Sequence, residues 1–304
     1  KDLSKPQAPL RQVSMSEDKE TSPTWSPDGQ ALAYFRFNRS GQCELHVREL
    51  ITNQDRLIDT GCISTGYLNS LDWSPDGKWL AYAKAQDDRV AVFTYSFASS
   101  EIEQLSFPLA GEEDLLMSWS GNSTELAVVR SVEMDATILL LSRAANEVVR
   151  LIEGESMIIG LEWEQQSNHL YFNALREGSF IVERYDFASQ SVVDFHEDDT
   201  ISSLAINEKS QTLYYSRHIS QEHITVRNMH GGQIEHQLAS SSRDMFGQYL
   251  AATEELLFLS NRSGAWELWL NQESGSKQLT DKQGLLSVPA ASPLDKRYVV
   301  PMKP

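Results

Sequence analysis

Three groups of side chains in this sequence are of types that do chemistry: two cysteines, seven histidines and several runs of carboxylates. Cys43 and Cys62 are an even pair, which reads as a disulfide in an oxidising compartment and otherwise as two partly buried thiols. Two cysteines without a matching histidine spacing do not make a zinc site. The histidines stand at 46, 169, 196, 218, 223, 230 and 236. Four crowd one short stretch, but none of the recognised ligand spacings is there, so turn and strand-edge histidines are the plainer reading. The sequence has no Gly-x-Ser-x-Gly elbow, no His-Glu-x-x-His, no phosphate loop and no Gly-x-Gly-x-x-Gly turn. We therefore assign no catalytic residue, no metal and no cofactor, and expect a protein that is not an enzyme.

The carboxylates fall in a pattern. They are Glu17-Asp18-Lys19-Glu20, Glu112-Glu113-Asp114, Glu153 with Glu155, Glu197-Asp198-Asp199, and Asp244. What positions them is a repeat, and repeats are read before other features. Trp25-Ser26-Pro27-Asp28-Gly29 leads into Ala31-Leu32-Ala33-Tyr34, and Trp73-Ser74-Pro75-Asp76-Gly77 leads into Trp79-Leu80-Ala81-Tyr82. Proline fixes φ near −65° at the second turn position, Asp bonds the backbone, and Gly takes the left-handed conformation. Apolar runs on both sides make each a tight hairpin. Weaker copies start at Trp119, Trp163, Ile206, Leu250 and Ala291, giving anchor spacings of 48, 46, 44, 43, 44 and 41 residues. A steady period of this size with four short strands per unit is the signature of a β-propeller, and no long stretch with 3.6-residue apolar spacing competes with it.

We expect an all-β propeller with seven four-stranded blades, six being the alternative count. Residues 1–9 read as a linker or arm, and 10–304 as one propeller domain. Leu10-Arg11-Gln12-Val13-Ser14 resembles the strand that ends later repeats, as in Lys277-Gln278-Leu279-Thr280. It would complete the last blade and close the ring, removing the open edges that invite aggregation. Blades three to five lose the Pro-Asp-Gly turn. Trp25, Trp73, Trp119 and Trp163 hold equivalent positions and are expected to pack between blades rather than to form a ligand cage. Asp28, Gly29, Asp76 and Gly77 are read as turn residues, not catalytic ones. Asn38-Arg39-Ser40-Gly41 and Asn261-Arg262-Ser263-Gly264 mark the same turn in two blades.

In a four-stranded meander, the start of the third strand and the loop leaving the fourth lie at one rim. Cys43 and Cys62 can meet there. The carboxylate runs enter the first strand of each blade and gather at one rim too, around the mouth of the central channel. Glu20, Glu113, Asp114, Asp198, Asp199 and Asp244 are thus candidate members of an acidic funnel for a small cationic ligand or a basic protein surface. The alternative is that charged loops merely keep the rim wet. A net charge of −17 repels phosphate backbones, so direct nucleic-acid contact by this chain is not expected. The longest apolar runs, such as Ile138-Leu139-Leu140-Leu141, have strand length, and the start at Lys1 has no signal-peptide pattern.

These motifs resemble the repeat of TolB-type β-propellers, from about residue 10 to 300. The stretch Phe258-Leu259-Ser260-Asn261-Arg262-Ser263-Gly264-Ala265-Trp266-Glu267-Leu268-Trp269 is similar to the best-preserved blade of that family. The order of features also resembles the extracytoplasmic propellers of CadC-like and ToxR-like regulators. In those, a winged-helix DNA-binding domain and one membrane helix precede the propeller. That resemblance implies a periplasmic signal-sensing domain, held to the membrane by a segment outside this sequence. A free-standing periplasmic TolB-like interaction protein is the alternative. The accessory propeller of a prolyl-oligopeptidase-like hydrolase is a third, and needs a separate domain carrying Ser, His and Asp.

Overall fold

The computed structural model describes residues 13–14, 16–64, 70–133, 135–143, 147–166, 168–176, 179–198, 201–207, 211–218, 222–229, 234–238, 240, 242–250, 253, 255–263, 266–272, 274–281, 288–295 and 297–300. They form antiparallel meanders of four strands, repeated along the chain. The first unit is β1 (Lys19–Trp25), β2 (Ala31–Phe37), β3 (Cys43–Glu49) and β4 (Asp55–Thr60). The second is β5 (Leu71–Trp73), β6 (Trp79–Gln86), β7 (Arg89–Ser96) and β8 (Ile102–Gln104). Then come β9 (Glu113–Trp119), β10 (Glu125–Val132), β11 (Asp135–Ser142) and β12 (Glu147–Glu164), with β13 (His169–Arg176), β14 (Ser179–Asp186) and β15 (Ser191–Asp198). The fifth unit is β16 (Ile201–Asn207), β17 (Thr212–His218), β18 (Glu222–Asn228) and β19 (Ile234–Leu238). The sixth is β20 (Asp244–Leu250), β21 (Glu255–Ser260), β22 (Glu267–Gln272) and β23 (Gly275–Gln278). A hairpin of β24 (Ala290–Ala291) and β25 (Tyr298–Val299) follows. This is an all-β propeller. No helix among the described residues is long and apolar enough to cross a membrane.

The inner strands are apolar on both faces because a unit lies on each side of them. β2 reads intermediate, four buried, then two intermediate, while the outer β4 is exposed or half-buried throughout. One cluster packs Phe35 and Leu45 of the first unit against Trp73 and Leu80 of the second; others join the second unit to the third and the third to the fourth. Trp73, Trp119 and Trp163 sit in these seams and Trp25 in a cluster with Leu32 and Ala290; the four are 8%, 7%, 1% and 2% exposed in chain order. Trp73 stacks on Phe97 and Trp163 on Phe187, at 4.6 and 4.8 Å.

Where the sequence suggests a loop between the third and fourth units, β12 runs on as one strand. It pairs with β11 up to Ser156 and with β13 from Ser156 onward. Positive φ at Gly154 and Met157 supplies the bend that a separate loop would otherwise provide. The segment after β4 does similar work by another route. Residues 61–63 run along β6: Ala85 N–H donates to Gly61 O at 2.9 Å and Ile63 N–H to Ala83 O at 3.0 Å. Cys62, in that segment, is disulfide-bonded to Cys43 at the start of β3, with Cα atoms 5.2 Å apart. The bond thus ties the first unit to a strand laid on the second. At the other end of the chain, Trp25 Nε1–H donates to Ala290 O at 3.0 Å and Arg297 Nη2 to Gly29 O at 3.0 Å. Val13 packs on the same cluster as Trp25, Ala290 and Val299. The rest of the strand expected over 10–14 lies outside the described residues, apart from Ser14.

The turn after each anchor has one hydrogen-bond frame. Ser26 Oγ donates to Asp28 Oδ1 at 2.6 Å and accepts Ala31 N–H at 2.9 Å; Ser74 repeats this with Asp76 and Trp79 at 2.7 and 2.9 Å. The third unit keeps the frame although its sequence has lost Pro-Asp-Gly. Ser120 Oγ donates to Asn122 Oδ1 at 2.7 Å and accepts Glu125 N–H at 3.0 Å, and Ser123 takes the left-handed position at φ 61°. Gly121 stands where the first two copies have proline because the next unit's backbone passes there. A Cβ on it would sit 2.4 Å from Gln165 O. Gly121→Ala is therefore expected to destabilise the fold by about 1–3 kcal/mol in urea melts; an unchanged midpoint would show that this contact between units does not matter.

Candidate functional site

The first strands of successive units converge on one central cavity of about 440 Å³. Its walls come from residues 22–25, 70–73, 116, 159–162, 203–206, 246–249 and 288–291, with Pro27 and Pro293. Most of the lining is backbone and small or apolar side chains. The exceptions are few and placed by the repeat. Asp72 and Glu162 each stand just before an anchor tryptophan, Trp73 and Trp163. Ser70 is fully buried at the same wall, and its hydroxyl has no hydrogen-bond partner among the described residues.

Asp72 does two things. Its Oδ2 accepts the N–H of Trp119, in the next unit, at 3.0 Å. Ser118, at the equivalent position, accepts the N–H of Trp163 at 3.0 Å in the same way. The residue before Trp73 and the residue before Trp119 thus each fasten the following unit. Unlike Ser118, Asp72 also carries a carboxyl that opens on the cavity rather than on bulk water. Burial pushes that carboxyl up to about 7, against the opposing pull of the Trp119 and Trp73 N–H groups. Near neutral pH the site can hold a proton or present a negative charge to a cation.

The carboxylates singled out from the sequence are dispersed by the structure. Glu113 is exposed at the rim. Glu20 is half-buried and Asp114 and Asp244 are buried, so these three are not open rim charges. Each is taken by an arginine. Arg36 Nε donates to Glu20 at 3.0 Å; Arg130 holds Asp114 through Nε and Nη2 at 2.8 and 2.9 Å; Arg262 Nη2 reaches Asp244 at 2.7 Å. Asp114 and Asp244 are wholly buried, so the paired charge is what makes their burial tolerable. Sequence reading missed these arginines, although the signal exists. In the first and third units the acid stands five residues before the anchor tryptophan and the arginine eleven after it. Asp198 lies at the end of β15, its side chain undescribed, and Asp199 is outside the described residues.

Of the histidines, His46 lies between Glu44 at 3.1 Å and Asp55 at 3.3 Å, and His169 between Glu164 at 2.9 Å and Asp186 at 3.4 Å. The side chains of His196, His218, His223 and His236, and residue 230, are outside the described residues. Among the described residues no group of three or more His, Cys, Asp or Glu is placed to hold a metal ion.

No family model and no curated protein matches this sequence. Solved structures do match in fold. TolB from Acinetobacter baumannii is similar at 16% identity and a TM-score of 0.59, over 75% of this chain and 56% of that one. The chain therefore spans little more than half the length of that TolB. An oligogalacturonate lyase in complex with manganese aligns at 11% identity and a TM-score of 0.75, over 95% and 88% of the two chains. The β-propeller domain of the trilobed protease from Pyrococcus furiosus aligns at 12% identity and a TM-score of 0.71, over 93% and 88%. The fold is a β-propeller, similar to that of TolB. At these identities the likeness speaks to the fold and not to a substrate or partner.

Proposed function

We propose that this chain is a non-catalytic sensory propeller that takes a small cationic ligand in its central channel. We further propose that it is the periplasmic domain of a membrane-anchored winged-helix transcriptional regulator. The observation that carries the ligand reading is the Asp72 carboxyl on the cavity wall, on the same segment as the Ser70 hydroxyl, which has no hydrogen-bond partner among the described residues. A concave site in which a few polar groups converge is the usual place for a small ligand. Because Asp72 also fastens the third unit to the second, a cation there acts on a contact between units, which gives a sensor something to report. The Cys43–Cys62 bond supports an oxidising compartment. In this reading the hairpin β24–β25 belongs to a seventh blade that the N-terminal strand completes. A protease-associated propeller is the second reading, and the likeness to the Pyrococcus propeller domain favours it.

Calorimetry with spermidine as probe tests the ligand reading. Binding is expected at pH 8, weaker by about tenfold or more in Asp72→Asn, and weaker in the wild type as pH falls through about 7. The same variant has a stability signature. Asp72 deprotonates near 3.9 in the unfolded chain and at about 7 in the fold. Between those values the folded state holds the extra proton, so stability falls as pH rises, and Asp72→Asn should abolish that fall. Equal spermidine affinity in both proteins at pH 8 would overturn the ligand reading. The regulator reading is tested by the reading frame before Lys1. A winged-helix domain and one apolar span of about twenty residues are expected; a cleavable export signal directly before Lys1 would sink it.

A further inference from the structure

The end of the second and third units away from the Ser-Pro-Asp-Gly turns has an unusual surface. Phe107 and Leu109, in the crossover between β8 and β9, are 65% and 70% exposed. Large apolar side chains that face water this fully are ordinary when scattered on soft loops. Here the loop is held. Leu109 N–H donates to Glu112 Oε2 at 2.7 Å and Arg89 Nη1 donates to Pro108 O at 3.2 Å. Gly111 N–H donates to Asp88 O at 3.0 Å and Glu112 N–H to Leu109 O at 3.0 Å. A rigid loop that presents two apolar side chains loses little conformational freedom on binding, which is what an anchor needs.

The neighbours extend the patch. Val90 bridges Glu113, Glu113 pairs with Ser131, and Asp135 pairs with Ser156. The crossover, the β10–β11 hairpin and the bend in β12 are therefore side by side. Val132 and Met157, 43% and 40% exposed, sit at the tips of the last two. Exposed carboxylates surround them: Asp87, Asp88, Glu113, Glu133 and Asp135. The nearby cations are engaged, Arg130 with Glu112 and Asp114, and Arg89 with Asp88 and Pro108 O.

We propose that this end is a docking surface for a basic amphipathic segment of a partner protein. Its apolar face would cover Phe107, Leu109, Val132 and Met157, and its cations would meet the carboxylate border. Charge complementarity selects that occupant. A phosphate backbone or an anionic lipid surface is repelled, and a second copy would bring a net charge of −17 against another of −17. The surface lies outside the central cavity, so it stands or falls separately from the ligand reading.

The test uses the full chain and a fluorescent peptide of about 18 residues, five helical turns, with Lys on one face and Leu and Phe on the other. Fluorescence anisotropy reads binding. Phe107→Ser with Leu109→Ser is expected to weaken it by about tenfold or more, although the charge of the protein is unchanged. Ile51→Ser alters an equally exposed side chain in the β3–β4 turn, at the opposite end, and is expected to leave binding as it was. Glu113→Gln with Glu133→Gln should weaken binding and flatten its salt dependence. Wild-type affinity in the Phe107/Leu109 variant would reduce the effect to general attraction by an acidic protein and overturn the proposal, as would no binding to the wild type.

Discussion

The hydrogen bond from Trp119 N–H to the Asp72 carboxylate, and its copy from Trp163 N–H to Ser118 Oγ, answers the constraint on which this fold turns. Apart from the single β7–β9 bridge at Val90 and Glu113, the innermost strand of each described unit is paired on one side. Its other edge faces the channel and the neighbouring unit, where main-chain donors would be buried without acceptors. A short polar side chain placed just before the anchor tryptophan supplies the acceptor across the gap. The tryptophan ring then fills the seam behind it. One position in the repeat thereby sets both the spacing of the units and the chemistry of the channel wall.

That coupling explains why the cavity differs so much from the rim. At the rim, Glu20, Asp114 and Asp244 are bound to arginines of the following strand or turn, and their charge is spent inside the protein. At the channel, Asp72 accepts from the main-chain N–H groups of Trp119 and Trp73, and no cation pairs with it among the described residues. Burial then dominates and raises its pKa, whereas charge pairing would have lowered it. The first two units have an added covalent tie. The Cys43–Cys62 bond fixes the segment that runs along β6, close to where Lys84 and Tyr82 donate to Asp59 of β4.

Much of this was legible in the sequence, for identifiable reasons. The Trp-Ser-Pro-Asp-Gly copies dictate the hairpins because proline, aspartate and glycine each fix one backbone feature, and the steady period follows from the anchors. The third turn was less legible. Asn122 and left-handed Ser123 reproduce the frame, and Gly121 is explained only by Gln165 of another unit. The pairing of the carboxylates was not legible, because a charge run in sequence does not show its partner. Arg130 is sixteen residues from Asp114 and becomes its neighbour only through the β9–β10 register. Asp72 drew no notice at all, since a single carboxylate before a tryptophan is unremarkable until seven inner segments are seen to share one cavity.

The Asp72 carboxyl, set in the cavity wall and held by main-chain N–H groups, binds its proton far more tightly than a solvated aspartate. Carbon-detected NMR titration of the aspartate carboxyls, with Asp72→Asn used to assign the signal, measures this directly. A midpoint of about 7 is expected for Asp72. A midpoint near the ordinary 3.9 of a solvated aspartate would contradict it.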